Sequence, residues 1–267
     1  MESSISVILN GKTDPYHGIT INSSDYEKLV KIWQLEEVVR KSVVVWLERR
    51  LRGIWIRVDI KNSEWVPVLA HHGFQFHHAQ TDFVMMTRWL PPGEKSMLPR
   101  YPFTSIGVGG ITVNREGKFL LMKERRGHYL GYKFPGGMAD HKEQIAETAV
   151  RETFEETGVE TVSEGILCFR HSHRTPYPQC SDIYFLVVLK PKDENNITPT
   201  PCPSEAAAAD WLTIKQIQNL GTKEKHPFID NMIVQYQKWK KRKGSGIYNV
   251  KVEAAYNVRE AMMYFCE

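Results

Sequence analysis

GMADHKEQIAETAVRETFEETGV, residues 137–159, sets Gly137, Glu143, Arg151, Glu152, Glu155, Glu156 and Gly158 in the order glycine loop, acidic helix, glycine loop. Asp140 followed three residues later by Glu143 fits a capping box, so a helix is expected to start near His141. Gly158 suits the left-handed position just past its end. At about 100° per residue from Ile145, Glu155, Glu152 and Glu156 fall near ~280°, ~340° and ~20°, one acidic patch. Ala146, Ala149, Val150, Thr153 and Phe154 fill the arc from ~40° to ~180°, a core-facing stripe beside it. Glu152 and Glu156, four apart, repel by roughly 0.2–0.5 kcal/mol in a bare helix, and Arg151, four from both Glu147 and Glu155, relieves part of it. A charge cluster is ordinarily a solvated face. The flanking glycines change the balance, because a hard divalent cation needs convergent carboxylates with backbone carbonyls close by. The pattern points to a Mg2+ or Mn2+ site that works on phosphates.

These residues resemble the Nudix box: Gly, five residues, Glu, seven residues, Arg-Glu, an aliphatic, any residue, Glu-Glu, any residue, Gly and an aliphatic. All seven fixed positions match over 23 residues. The departure is Thr153 at an aliphatic position, and it lies on the apolar arc. The resemblance implies that Glu152, Glu155, Glu156 and the Gly137 carbonyl hold the metal. It makes Glu152 a candidate base for activating water, while other members take that base from a later loop. Glu143 and Arg151 are implied as supports that fix the loop and orient the glutamates, and Gly158 as the helix stop.

The chain has 267 residues, 42% apolar and 25% charged, ordinary for a globular protein. A formal charge of +4 is too mild to indicate stable nucleic-acid binding, though it does not oppose an anionic substrate. Cys168, Cys180, Cys202 and Cys266 show no C-x-x-C pair or disulfide-like spacing, which favours reduced thiols and a cytoplasmic setting. The opening residues lack a secretory pattern. No run of 18 apolar residues occurs, so no membrane-spanning helix is expected.

LPPGEKSMLPRYPF, Leu90–Phe103, carries four prolines and reads as a linker. The expected organisation is an N-terminal α/β domain over 1–90, a linker over 91–103, a catalytic domain over 104–220 and a helical extension over 221–267. Before the linker, ISVIL, GITIN, GIWIRVDI and FQFHHAQTDFVMMTRWL read as strands. Asp25 to about Arg50 and SEWVPVLAHHG read as helices. After it, IGVGGITVN and KFLLMKE read as strands joined at Asn114–Lys118. GILCFRH and DIYFLVVLK are two more, and PSEAAAADWLTIKQIQNL is a short strand about Trp211 followed by a helix. IDNMIVQYQKWKKRK reads as a basic-ended helix.

NGKTDPYHGITI, GFQFHHAQTDFVMMTRWLPP, KFPGG, SDIYFLVVLKP and EAAAADW extend the resemblance over roughly residues 8–220. They are similar to the Nudix subgroup that contains the antisense fibroblast-growth-factor-2 protein and plant ADP-ribose/NADH pyrophosphatases. The implied fold is a Nudix α/β/α sandwich with a smaller N-terminal α/β domain of partial acyltransferase type. The implied activity is Mg2+-dependent hydrolysis of a nucleoside diphosphate linked to another moiety, with ADP-ribose- or NADH-like substrates. A homodimer through the N-terminal domain is expected on analogy. The rival reading is a non-catalytic Nudix scaffold, and a weaker one is acyl transfer in the N-terminal half.

Arg125 and Arg126, after a strand and before the glycine loop, are candidate grips for a substrate phosphate. Lys123 is a lesser candidate, and a solvated turn is the plain alternative. Glu205, six residues before Trp211, is the leading alternative base to Glu152. Cys168, His171, His173 and Cys180 have spacing too irregular for a structural zinc. The loop HSHRTPYPQCSD lacks the central Trp and the Gln of the NADH pyrophosphatase signature, so it gives NADH specificity no support. His71, His72, His77 and His78 read as polar linings of the N-terminal half.

Overall fold

Alternation in Gly53–Asp59 buries Ile54, Ile56 and Val58 on one face of a strand, and the N-terminal sheet is built around it. The computed structural model describes residues 7–127, 129–173, 180–242, 247–252 and 261–266, the backbone alone for 248–252 and 261–266. It divides into two compact units, Met1–Pro102 and Phe103–Glu267.

The first unit runs β1 (Lys12–Thr13), β2 (Ile19–Asn22), α1 (Ile32–Glu48), β3 (Gly53–Asp59), α2 (Trp65–His71), β4 (Gln75–Ala79) and β5 (Phe83–Trp89). Its sheet has the order β1-β2-β3-β5-β4, with β2 parallel to β3 and the other pairs antiparallel. α1 buries Leu35, Val38, Val39, Ser42 and Trp46, the three- and four-residue spacing of one helix face. The helix expected from Asp25 begins only at Ile32. Lys31 is extended there and its N–H donates to Gln34 Oε1 at 3.1 Å, while Ser23–Tyr26 forms a separate 3-10 turn. The strand expected in ISVIL is not formed by its described residues. The Leu9 N–H donates to Ser42 Oγ (2.9 Å) and the Leu9 carbonyl accepts from Trp46 Nε1 (3.0 Å), so side chains of α1 satisfy a backbone that a neighbouring strand would otherwise pair.

The second unit contains β6 (Thr104–Thr112), β7 (Phe119–Glu124), β8 (Tyr132–Lys133), β9 (Gly136–Met138), α3 (Ile145–Thr157), β10 (Thr161–Ser172), β11 (Ser181–Pro191), β12 (Ala206–Leu212), α4 (Ile214–Asn219), α5 (Ile229–Lys241), β13 (Ile247–Val252) and β14 (Ala261–Cys266). One mixed sheet has the order β14-β13-β10-β11-β6-β9, and a smaller one β12-β7-β8. β11 is apolar on both faces. Val187 and Leu189 join Val108, Ile166 and Ala149 of α3; Leu186 and Val188 join Ile111, Phe119, Ile217 of α4 and Ile229, Ile233 and Tyr236 of α5. Helices therefore cover both faces of a mixed sheet, the expected α/β/α layering. β12 starts well before Trp211: the alanine run pairs with β7 from Ala206↔Glu124 to Leu212↔Phe119, and sheet pairing overrides its helical preference. α5 is the expected basic-ended helix, and the β13–β14 hairpin is an addition that the sequence reading did not contain.

α3 ends at Gly158, whose φ of 72° is left-handed and whose N–H donates to the Phe154 carbonyl at 2.7 Å. A Cβ there would also stand 3.1 Å from Thr200. Gly158→Ala is expected to cost about 1–2 kcal/mol from the left-handed backbone alone. A urea denaturation midpoint equal to that of the wild type would show that this cap is not needed.

Candidate active site

The acidic helix begins later than the capping box suggested. Gln144 is its N-cap, with the Gln144 N–H donating to Glu147 Oε2 at 3.1 Å. Lys142 takes φ 71°, which no helix interior allows. Glu143 belongs instead to a loop braced against the helix. It accepts the Asp140 N–H (3.0 Å), the Thr148 hydroxyl (2.9 Å) and both Arg151 Nε (2.7 Å) and Nη2 (2.8 Å).

Arg151 organises the rest. Its Nη1 donates to Glu152 (3.0 Å) and Glu155 (2.8 Å), and its Nη2 also reaches the Met138 carbonyl (3.1 Å). One guanidinium thus ties the loop after Gly137 to the helix and takes an oxygen from each of three glutamates. The pairing raises Arg151 further above its ordinary value, Glu143 being the largest cause. It is a positioning residue.

The wheel placed the acids beside the core stripe; the structure sets Glu156 within it, with Glu152 half-buried at its edge and Glu155 exposed. Thr148, Ala149, Thr153, Glu156 and Thr157 are buried, an arc from ~300° to ~120° centred near Glu156. Phe154, expected on the core face, lies at ~180° and is half exposed. Thr153 is fully buried where α3 crosses Gly110, so close that a Cβ on Gly110 would stand 2.5 Å from its Oγ1. A larger aliphatic at 153 would not fit that approach, which accounts for the one departure from the box.

Glu156 Oε2 accepts the Gly136 N–H at 2.7 Å, and its other oxygen is 3.8 Å from Lys133 Nζ, itself held by Glu124 at 2.6 Å. Burial outweighs both and pushes the Glu156 carboxyl up to about 7. Burial raises Glu152 as well, with Arg151 pulling the other way. The Glu152 carboxylate lies so near Gly137 that a Cβ there would overlap both of its oxygens. Glu152 and Glu156 therefore flank the Gly136–Gly137 backbone, while Glu155 turns outward to Arg151, half exposed. Among the described residues no three of His, Cys, Asp or Glu form a ready ligand cage. The donor set nevertheless suits a hard divalent cation: all oxygen, with Glu156 buried and Glu152 half-buried, their charge only partly offset.

Arg125 and Arg126 are exposed. The Arg125 N–H donates to the Glu205 carbonyl (2.7 Å) and its Nη2 to the Ala206 carbonyl (3.4 Å), so the strand end carrying the arginines adjoins the Glu205 loop. That loop is tied to the end of α3 through Thr200 N–H to the Thr157 carbonyl (2.7 Å) and Cys202 N–H to the Glu156 carbonyl (3.3 Å). The Glu205 side chain is exposed, and its carboxylate meets no partner among the described residues. Lys123 lies over the Tyr132 ring at 4.3 Å, which occupies it. The Cys168 thiol packs on Met232 Sδ (3.8 Å) and burial raises it, consistent with a packing role. Part of the HSHRTPYPQCSD loop, residues 174–179, lies outside the described residues.

Sequence reasoning missed Lys133 and Tyr184. Lys133 sits in KFPGG, three residues before Gly136, and its position was the available signal. Tyr184 fills space that Gly107, Gly109 and Gly136 leave open, a pairing that only the sheet register reveals. Both line a cavity of about 450 Å³ together with Phe169, Arg170, His226 and Phe228. The Arg151–Glu143 pair makes a testable electrostatic contribution. Arg151 holds Glu143 far below its ordinary 4.5, at about 2, so the stabilisation is complete above pH 4.5 and fades as pH falls toward 2. Glu143→Gln is expected to lose about 1.5–3 kcal/mol at neutral pH. Thermal melts of the two proteins should converge between pH 4.5 and 2; a gap independent of pH would assign the loss to packing.

Comparisons with known proteins identify the family. A family model described as the Nudix hydrolase domain matches residues 9–90, and one described as the NUDIX domain matches 104–232. Nudix hydrolase 8 of Arabidopsis thaliana is 32% identical over 216 residues, 78% of this chain and 56% of that protein. Nudix hydrolase 6 of the same plant is 32% identical over 225 residues, 82% of this chain and 76% of the relative. Human nucleoside diphosphate-linked moiety X motif 6 is 30% identical over 213 residues, 78% of this chain and 66% of that protein. The chain thus spans little more than half of the first of these relatives. A solved NUDIX hydrolase from Nitrosomonas europaea is 19% identical with a TM-score of 0.44, covering 63% of this chain and 88% of its own. With the box complete and its acids gathered on the Gly136–Gly137 turn, the chain belongs to the Nudix hydrolase family.

Proposed function

We propose that the protein hydrolyses the diphosphate bond of nucleoside diphosphate-linked compounds with the help of Mg2+ or Mn2+, ADP-ribose- or NADH-like dinucleotides being the substrate class. The observation that carries this reading is the pair of incompletely compensated carboxylates, buried Glu156 and half-buried Glu152, set against the Gly136–Gly137 backbone. A buried carboxylate without full compensation is costly unless a cation joins it. Glu152, Glu156, Glu155 and the Gly137 carbonyl are the groups that would hold the metal. When bound, it would supply Lewis acidity toward the phosphoryl oxygens.

The chain's own residues then divide the work. Arg151 fixes the loop and the orientation of Glu152. Arg126, exposed and without a partner among the described residues, and Arg125 beside it offer guanidinium forks to the diphosphate. Glu205, its carboxylate unengaged at the same rim, accepts the proton of the attacking water; Glu152, engaged by Arg151, is the alternative. The cavity beside Lys133 takes the organic moiety, where Phe169, His226 and Phe228 present rings for stacking on a flat base. The names of the relatives, nucleoside diphosphate-linked moiety among them, support the substrate class.

Formation of the two monophosphate products from a panel of nucleotide conjugates with Mg2+, read as phosphate after phosphatase treatment, tests the reading. Glu156→Gln should lower kcat by at least the ~100-fold that losing an outer-shell metal partner can cost. Equal inactivity of wild type and Glu156→Gln across a broad panel would leave the non-catalytic scaffold as the better account. Glu205→Gln separates the bases: a loss of about 100-fold or more in kcat with metal affinity unchanged assigns the proton transfer to Glu205. A wild-type kcat would return it to Glu152.

A further inference from the structure

The unit Met1–Pro102 holds an arginine that its own fold does not use. Arg88 lies near the end of β5, in register with Ile54, half-buried. Three arginines of this unit find acids: Arg40 pairs with Glu37 (2.7 Å), Arg52 with Glu94 (2.6 Å), and Arg57 with Asp59 and Asp82 (2.8 and 2.7 Å), while Arg49, Arg50 and Arg100 are exposed. Arg88 has no hydrogen bond or ion pair with any described residue. Burial depresses its guanidinium below the usual value with no carboxylate to offset the effect. Beside it the turn after α2 passes through Gly73 at φ 77°, where a Cβ would stand 3.7 Å from Arg88 Nε. The next residue, Trp89, has an indole N–H that is buried and also lacks an acceptor. The Trp89 N–H is thus withdrawn from water without a partner, at a cost of a few kcal/mol, while the half-buried Arg88 fork keeps its nitrogens open to whatever fills the space beside it.

Both residues line a cavity of about 450 Å³ contained in this unit, within the range of small-molecule sites. One wall is the segment Ser96–Tyr101, which is fastened in place. The Pro99 carbonyl lies 2.9 Å from His77 Nε2, and the Tyr101 ring stacks on His78 at 4.7 Å. Arg100 lines the cavity as a second guanidinium without a described partner, and no Asp or Glu contributes to the lining. Phe76, Trp89 and Tyr101 add aromatic surface. The chemistry is positive, donor-rich and flat-walled.

We propose that this cavity is a second binding site, for a small molecule that joins a phosphate or carboxylate to a flat ring, of which nucleoside monophosphates are representative. The anion sits on the Arg88 fork, with Arg100 as the second guanidinium, and the ring lies between the aromatic walls. The site is independent of the hydrolytic centre and does not depend on its assignment.

The test uses the 15N-labelled full chain with EDTA present, titrated with adenosine 5′-monophosphate, benzoate, inorganic phosphate and adenosine. Saturable shifts of the Gly73, Phe76, Arg88 and Trp89 amides with the monophosphate or benzoate are expected. Affinity should fall at least tenfold in Arg88→Gln and severalfold in the exposed-site variant Arg100→Gln, and stay unchanged in Glu156→Gln. Arg88→Gln should melt no lower than wild type, since no ion pair is lost; a lower melting temperature with unaltered binding would make Arg88 structural and overturn the proposal. Adenosine binding as tightly as its monophosphate would remove the anion requirement, and free phosphate binding as tightly would remove the ring. No saturable shift at these amides with any probe would also overturn it.

Discussion

Three glutamates, Glu143 on a loop and Glu152 and Glu155 on a helix, would repel one another if nothing stood between them, and Arg151 stands there. Its fork reaches Glu143 with two donors, Glu152 and Glu155 with a third nitrogen, and the Met138 carbonyl besides. Lysine could not do this, because a single ammonium lacks the planar fork that bridges loop and helix together. The consequence is geometric as well as electrostatic. With the Gly137–Glu143 loop anchored to the helix, the Gly136–Gly137 backbone is set beside Glu152 and Glu156, and the candidate site follows from that contact.

A second constraint sets how close the helix can come. α3 approaches β6 through Ala149, Thr153 and Thr157, a row of small side chains four residues apart, over the bare backbone of Gly110. Close approach carries the neighbouring positions inward, which is why Glu156 is buried and its carboxyl rises. The same contact explains Phe154: a helix seated on a narrow row of small residues leaves its far side in solvent. Packing of small residues and perturbation of a carboxylate are thus one event, linking the composition of β6 to the chemistry of the helix.

Much of this was legible in the sequence, where the information is local. The box spacing fixed which residues share a helix face, the Gly158 stop follows from left-handed backbone, period-two alternation located β3, and the apolar segments of β5 and β11 read as strands without it. The failures are where a distant group decided. The helix start moved from His141 to Ile145 although Glu143 keeps the Asp140 N–H bond, because Lys142 takes a left-handed φ of 71° and Gln144 caps the helix instead. Leu9 is extended but unpaired with any strand, because Ser42 and Trp46 take its backbone groups. The alanine run before Trp211 is strand only through its pairing with β7. Lys133 and Tyr184 gained their places through sheet register, for which a linear sequence carries no spacing rule.

The two units share a physical signature that neither a stability argument nor a packing argument explains. In the second, Glu156 is a buried carboxylate opposed by one backbone N–H and a lysine at 3.8 Å; in the first, Arg88 is a half-buried guanidinium with no described partner. Replacing an uncompensated buried charge by a neutral group of similar shape is often neutral or stabilising. Such groups therefore add little to the fold that holds them, and their surroundings identify what would complete them. Around Glu156 these are oxygen donors and a glycine backbone, which suit a cation. Around Arg88 these are further donors, a second guanidinium and aromatic walls without a single acid, which suit an anion carrying a ring. Opposite charges, each left open by its own unit, define opposite ligands. That complementarity is why the N-terminal unit reads as a binding module in its own right rather than as support for the hydrolytic one.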